Sequence, residues 1–216
     1  MKKLESSLTN MVLVLVGVAV VMGCILAYMN HLTSGPIQEQ KDKALAEGIK
    51  RVMTCDNLTV SKTDTVKLND EKGKEQTFIV YYVEDANKKA LGAAVESKTM
   101  GLGGDLKVLV GFDTNGIILG YTLLEHSETP GLGAKADKWF QKEGKGNIIG
   151  KDPSTPLDVK PAKGGKGDVD AITASTITSR AFLKAVNNAY NAYKQQAVES
   201  STGATKQQKK EGQSHE

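Results

Sequence analysis

The sequence is poor in the residues that build metal and disulfide sites. Only two cysteines, Cys24 and Cys55, occur in 216 residues, too few for a disulfide framework or a four-ligand zinc site. The three histidines, His31, His126 and His215, lie too far apart for a helical HxxxH or HExxH pair. Neither a metal hydrolase nor a zinc module is expected. Aromatic residues are 5% of the chain, with Trp139 the single tryptophan. No charge sign dominates: 28 Lys and Arg stand against 25 Asp and Glu. That balance lacks the concentrated basic face of a nucleic-acid binder. No GxxxxGK[ST], GxSxG or strand-to-helix GxGxxG is present. Gly144-Lys145-Gly146 with Gly150 has the wrong spacing for a dinucleotide loop.

What is present is unevenly distributed. Met11 to Met29 is a run of nineteen residues without charge or proline. As a helix it measures about 28 Å, close to the hydrocarbon thickness of a bilayer. A cleaved signal peptide would have a shorter apolar region ending at small residues. Val21-Met22-Gly23-Cys24 faintly resembles a lipoprotein cleavage box, but the run continues through Ile25–Met29. The reading is an uncleaved membrane anchor. Lys2 and Lys3 precede it, so positive charge inside places the N-terminus in the cytoplasm and the bulk of the chain outside.

Five parts follow: a cytoplasmic tail (1–10), a transmembrane helix (11–30), a connector helix (31–57), a β-rich domain (58–194) and a disordered tail (195–216). Ser34-Gly35-Pro36 is read as a break, with Pro36 opening the connector, whose alternative is a solvated spacer. Within the domain, 58–172 reads as β structure. The clearest hairpin runs 106–112 and 117–124 around Asp113-Thr114-Asn115-Gly116, where Asn-Gly supplies the positive φ of a tight turn. Ala134–Lys142 reads as a short helix. In Thr176–Lys194, Ile177, Ala181, Phe182, Val186, Ala189, Tyr190 and Tyr193 recur at helical spacing. After Gln195 the periodicity stops. The fold class expected is α+β, a membrane helix followed by a β-rich domain closed by a C-terminal helix.

Two segments carry candidate chemistry. His126-Ser127-Glu128-Thr129-Pro130-Gly131-Leu132-Gly133 joins a strand to a helix. It is either a tight turn or a loop that offers backbone N–H groups and a side chain to a ligand. Asp170-Ala171-Ile172-Thr173-Ala174-Ser175-Thr176-Ile177-Thr178-Ser179 crowds hydroxyls at a helix start. Unpaired N–H groups and the positive dipole end there suit a phosphate, although the same residues also serve as ordinary N-caps.

Together these segments resemble the covalent flavin-binding domain shared by two ion-translocating complexes. One version is the G subunit of the Rnf ferredoxin–NAD⁺ oxidoreductase. The other is the C subunit of the sodium-pumping NADH–quinone oxidoreductase. The resemblance spans the anchor, GLGGDLKVLVGFD (101–113), HSETPGLG (126–133) and DAITASTITSRA (170–181), and the length and ending look more like the Rnf version. It implies FMN joined through its phosphate to Thr176 by a flavin transferase. Asp170 then supplies the motif acid and Thr173 its first hydroxyl. Ala174 and Ser175 stand where the family has Gly and Ala. Glu128, Thr129, Leu132 and Gly133 are expected to line the flavin ring, and Lys160, before a Gly-rich turn at 163–167, to face it. The tail repeats the motif more literally as Ser201-Thr202-Gly203-Ala204-Thr205, but Glu199 replaces the Asp and no apolar helix follows. Thr176 is therefore preferred.

No acid–base pair or hydride-donor site accompanies these motifs, so the implied role is an electron carrier beside other membrane subunits of one redox complex. Membrane lipid is a further expected partner and nucleic acid is not. Two alternatives remain at this level: a cofactor-free bitopic interaction protein, and an extracytoplasmic anion binder using the same helix start.

Overall fold

The computed structural model describes residues 8–55, 57–69, 73, 75–160 and 167–211, with side chains as far as Gln195. The expected tail before Leu8, Lys2 and Lys3 with it, and most of the 163–167 turn lie outside the described residues. The chain divides into two units, Met1–Leu45 and Ala46–Glu216.

The described residues of the first unit lie within helix α1, Leu8–Met53. Its apolar side chains, Leu13, Leu15, Ile25 and Leu26 among them, are exposed, as a lipid-facing helix requires. It is one helix long and apolar enough to cross a membrane. The expected break at Ser34-Gly35-Pro36 does not occur, because α1 runs through Pro36. Thr33 and Ser34 turn their hydroxyls back onto the carbonyls of Met29 and His31 at 2.8 and 3.0 Å, the usual arrangement for these residues inside a helix. The Gln/Glu/Lys/Ala sequence that follows favours helix strongly, with Lys43 paired to Glu39 one turn back at 2.9 Å. Thr54, with φ of 52°, ends the helix.

The second unit is an antiparallel meander. Strands β1 (Leu58–Asn69), β2 (Glu75–Asp85), β3 (Ala90–Met100), β4 (Asp105–Asp113) and β5 (Ile118–His126) lie in sequence order. The strands end at His126, short of the expected 172, and only an isolated Val159–Val169 bridge follows among the described residues. Beyond them come a single 3₁₀ turn at Gly133–Lys135, helix α2 (Ala136–Trp139) and helix α3 (Thr176–Glu211). α3 does not stop at Lys194. Its Ala, Glu, Gln and Lys residues favour helix locally without an apolar periodicity to signal it.

β4 is buried along nearly its whole length because it is covered on both faces. Leu106, Val108, Val110 and Phe112 share a core with Phe182, Leu183, Ala185, Val186 and Ala189 of α3. On the other face the last turn of α1 presses its backbone onto the sheet. The paired Gly111 and Gly120 form a notch, where an added Cβ would lie 2.6 and 2.8 Å from the Val52 carbonyl oxygen. Only glycine allows that approach.

Candidate functional site

The site is assembled where three loops meet the first turn of α3. Its foundation is aromatic. Phe182 of α3 stacks on Phe140 at 4.3 Å and meets Tyr121 edge-on at 4.8 Å. The Tyr121 hydroxyl donates to the Ala136 carbonyl at 2.6 Å and accepts the Phe140 N–H at 3.2 Å. Burial pushes the Tyr121 phenol well above its ordinary value. Strand β5, α2 and α3 are thereby fixed beneath the motifs.

Glu128 is the centre of the site and lies inside it. It is 6% exposed. One carboxylate oxygen accepts the N–H groups of Leu102 and Gly103 at 2.8 and 3.3 Å, and the other accepts the Thr178 hydroxyl at 2.9 Å. Gly101 and Gly133 pack directly against that carboxylate, and a Cβ at either would overlap it. Glu128 and Gly133, expected along the flavin ring, are both buried. Their contacts are with their own protein, because a buried carboxylate needs donors. Thr129 and Leu132 differ. Thr129 closes the turn, its carbonyl accepting the N–H groups of Leu132 and Ala134, while the Leu132 side chain is 41% exposed.

The second segment approaches from 160–175. Asp170 and Lys160, ten residues apart in sequence, are brought together: the ammonium lies 3.3 Å from the carboxylate, both half-exposed. The Lys160 N–H donates to the Val169 carbonyl at 2.8 Å, and the Trp139 indole donates to the Asp170 carbonyl at 2.9 Å. Thr173 is exposed in the turn that follows. Ala174 adopts φ of 62°, a left-handed conformation that glycine occupies without penalty. This accounts physically for the glycine at that position in the resembling motif. Ser175 is buried, and its carbonyl accepts both the N–H and the hydroxyl of Ser179. Thr176 is the first residue of α3 and is exposed.

Thr178 and Ser179 enter the sequence reading only as members of the hydroxyl cluster, and Trp139 carries no functional signal there. Ser175-x-x-Thr178 has capping spacing, but spacing does not reveal that Thr178 reaches Glu128, fifty residues earlier. A hollow of about 530 Å³ flanks the loop beside Pro130, Gly131, Lys135, Lys138, Trp139 and Lys145. Among the described residues no His, Cys, Asp and Glu cluster could hold a metal ion. The arrangement offers an exposed hydroxyl on a helix N-terminus, where N–H groups lack intrahelical partners and the dipole favours an anion.

Comparison with known proteins follows the same geography. Residues 101–191 match the family model described as "FMN-binding domain". The G subunit of the Na⁺-translocating ferredoxin:NAD⁺ oxidoreductase complex of Acetobacterium woodii is 31% identical over 191 residues, covering 84% of this chain and 89% of that protein. The chain belongs to the family of G subunits of ion-translocating oxidoreductase complexes. The corresponding G subunit of the ion-translocating oxidoreductase complex of Aliivibrio fischeri is 33% identical over 196 residues, covering 86% and 89% of the two chains. A solved structure of the C subunit of the Na⁺-translocating NADH-quinone reductase from Parabacteroides distasonis matches 72% of this chain and 90% of that one, at 23% identity and a TM-score of 0.49. As a member of this family the chain is one component of a membrane-bound oxidoreductase, and its partners are the other subunits of that complex.

Proposed function

We propose that this chain carries FMN covalently on Thr176, through a phosphoester, and passes electrons between neighbouring subunits with its domain on the extracytoplasmic side. One observation carries the choice of residue. The matched FMN-binding region, 101–191, contains Thr176 at the exposed start of α3 and ends before Thr205. The residues present fit a phosphate there. Thr176 offers its oxygen, the first turn offers N–H groups, and the left-handed Ala174 with buried Ser175 keeps side-chain bulk away from the backbone.

Attachment needs an activated donor, because an alcohol and a phosphate monoester do not condense in water. The Thr176 oxygen would take the flavin-side phosphoryl group of a flavin dinucleotide, the new Oγ–P bond replacing the pyrophosphate bond, with the nucleoside monophosphate as leaving group and the hydroxyl proton released. A flavin transferase is the partner that would hold the donor. When bound, FMN supplies one- and two-electron transfer, which protein groups tune and orient. Thr129 and Leu132 are the loop residues that would lie along the ring. Asp170 and Lys160 form the charged side of the same site. Glu128 and Gly133 act from beneath. The anchor in lipid holds the domain beside its partners, and a covalent cofactor suits a compartment without a flavin supply.

The test is the intact mass of protein purified from membranes, with in-gel flavin fluorescence after denaturation. An FMN adduct that maps to the peptide containing Thr176 is expected. An unmodified mass and a colourless band would leave the domain as a cofactor-free interaction module.

A further inference from the structure

Beneath Thr176 runs a continuous chain of buried hydroxyls and one carboxylate. The Ser175 hydroxyl donates to Thr178 Oγ1 at 2.9 Å, and Thr178 donates onward to Glu128 at 2.9 Å. Glu128 in turn holds the N–H groups of Leu102 and Gly103 in the β3–β4 hairpin. Ser179 closes the other side, accepting the Ile172 N–H and donating to the Ser175 carbonyl, each at 2.9 Å. Thr178 and Ser179 are fully buried, and Ser175 and Glu128 nearly so. Thr178 thus links the carboxylate directly to the α3 turn that carries Thr176. A carboxylate this enclosed has no water to replace a lost donor, so each bond to it is strong and directional.

Resting on the reading of Thr176 as the flavin-bearing residue, we propose that Thr178 is a positioning residue. Its hydroxyl couples buried Glu128 to Ser175, and so sets the Thr176 oxygen and the 128–133 loop in one fixed relation. Thr178 touches neither the attachment oxygen nor an exposed surface. It acts through Ser175 on one side and through Glu128 on the other. Loss of the link leaves Glu128 short of a donor and Ser175 short of an acceptor. The loop and the helix start then settle independently.

The experiment uses the full chain made in membranes with a flavin transferase, comparing wild type, Thr178→Val, Thr178→Ser and Glu128→Gln. Adduct fraction is read by intact mass, folded fraction by thermal melting, and ring environment by the flavin absorption spectrum and midpoint potential. At equal folded fraction, Thr178→Val is expected to lower the adduct fraction about fivefold, the factor one lost hydrogen bond carries. Its remaining flavin should show a shifted spectrum and potential. Thr178→Ser, which keeps the hydroxyl, should restore both. Should Thr178→Val fail to fold, Glu128→Gln tests the same link, since an amide donates where the carboxylate accepts, and a shifted potential is expected. Adduct that merely tracks the folded fraction, with a native spectrum and potential in Thr178→Val and Glu128→Gln, overturns the proposal while Thr176 keeps its role. A wild type without adduct removes the Thr176 reading, and this inference with it.

Discussion

The chain contains two threonine motifs of nearly the same spelling, Thr173-Ala174-Ser175-Thr176 and Thr202-Gly203-Ala204-Thr205, and α3 places them in opposite situations. Thr176 begins the helix, on the rim of a folded domain, with a positive-φ residue and a buried cap before it. Thr205 lies well inside the same helix, where backbone N–H groups already serve the preceding turn. The more literal copy has the poorer chemistry. An anion site at a helix end depends on unpaired N–H groups, and a motif contributes only when the fold leaves those groups free.

The sharpest test of that contrast is substitution of each threonine. Thr176→Ala removes the oxygen that the proposed ester requires, and covalent flavin fluorescence should fall to background. Ser175 keeps its contacts with Thr178 and Ser179, so the domain should lose no more than about 1 kcal/mol in urea unfolding. Thr205→Ala, or deletion of 195–216, should leave fluorescence unchanged. Loss of signal from the tail variants instead would reverse the assignment.

The next effect is on stability. Glu128→Ala strips donors at Leu102, Gly103 and Thr178 of their buried acceptor. The cost should be about 3 kcal/mol, given the penalty for buried groups left without partners. Denaturant melts of the full chain measure it. A charge removed from the far motif by Glu199→Ala should change stability by less than about 0.5 kcal/mol.

These particular residues also show what was legible in the sequence. The β4–β5 hairpin was readable because Asn115-Gly116 sits between two apolar runs, and local chemistry decides such turns. Most of the face of α3 was readable from period alone: Phe182, Val186 and Ala189 are all buried, although Ile177, expected on the same face, is exposed. Thr176 was singled out only by the resemblance, since on the residues alone the segment reads as an ordinary N-cap. Glu128 was picked out through the resemblance, but its burial was not legible, because the groups that enclose it come from Leu102, Gly103 and Thr178, distant in sequence. The Glu128–Thr178 bond joins residues fifty positions apart, and no spacing rule reaches that far. Pro36 and the tail failed for the opposite reason. Local punctuation and missing periodicity were read as breaks, whereas helix propensity in the flanking residues carries α1 and α3 through.

Alkaline pH should loosen the Thr176 end of α3. Burial raises the Tyr121 phenol above its ordinary value, and Tyr81 is pushed up to about 12, chiefly by burial. A raised phenol means that the folded state holds its proton more tightly than the unfolded chain. That stability is present below pH of about 10 and is lost as pH rises from there through the folded value, by up to about 1.4 kcal/mol per pH unit per tyrosine. Hydrogen exchange at Ala181–Val186, around Phe182 over the Tyr121 ring, should accelerate between about pH 10 and 12 beyond its intrinsic rate. Tyr121→Phe should flatten that rise. An unchanged slope in Tyr121→Phe would assign the alkaline loss to Tyr81 or Tyr193, whose phenols burial also raises.

The smallest effect is the most diagnostic of backbone, because converse swaps of the same two residue types probe the two motifs. Ala174 sits at φ of 62°, where an L-residue costs about 1–2 kcal/mol. Ala174→Gly relieves that strain but adds unfolded-state entropy worth about 0.4–1 kcal/mol. The domain should gain about 0.5 kcal/mol, read as a higher urea midpoint with an unchanged slope, and flavin labelling at Thr176 should match or exceed wild type. Gly203→Ala is the converse, since glycine inside a helix is worse than alanine by about 1 kcal/mol. It should raise helicity in circular dichroism without moving the domain's melting point. A loss of more than about 0.5 kcal/mol in Ala174→Gly would mean that residue 174 is not left-handed in solution. Thr176 would then lack the tight approach on which its difference from Thr205 depends.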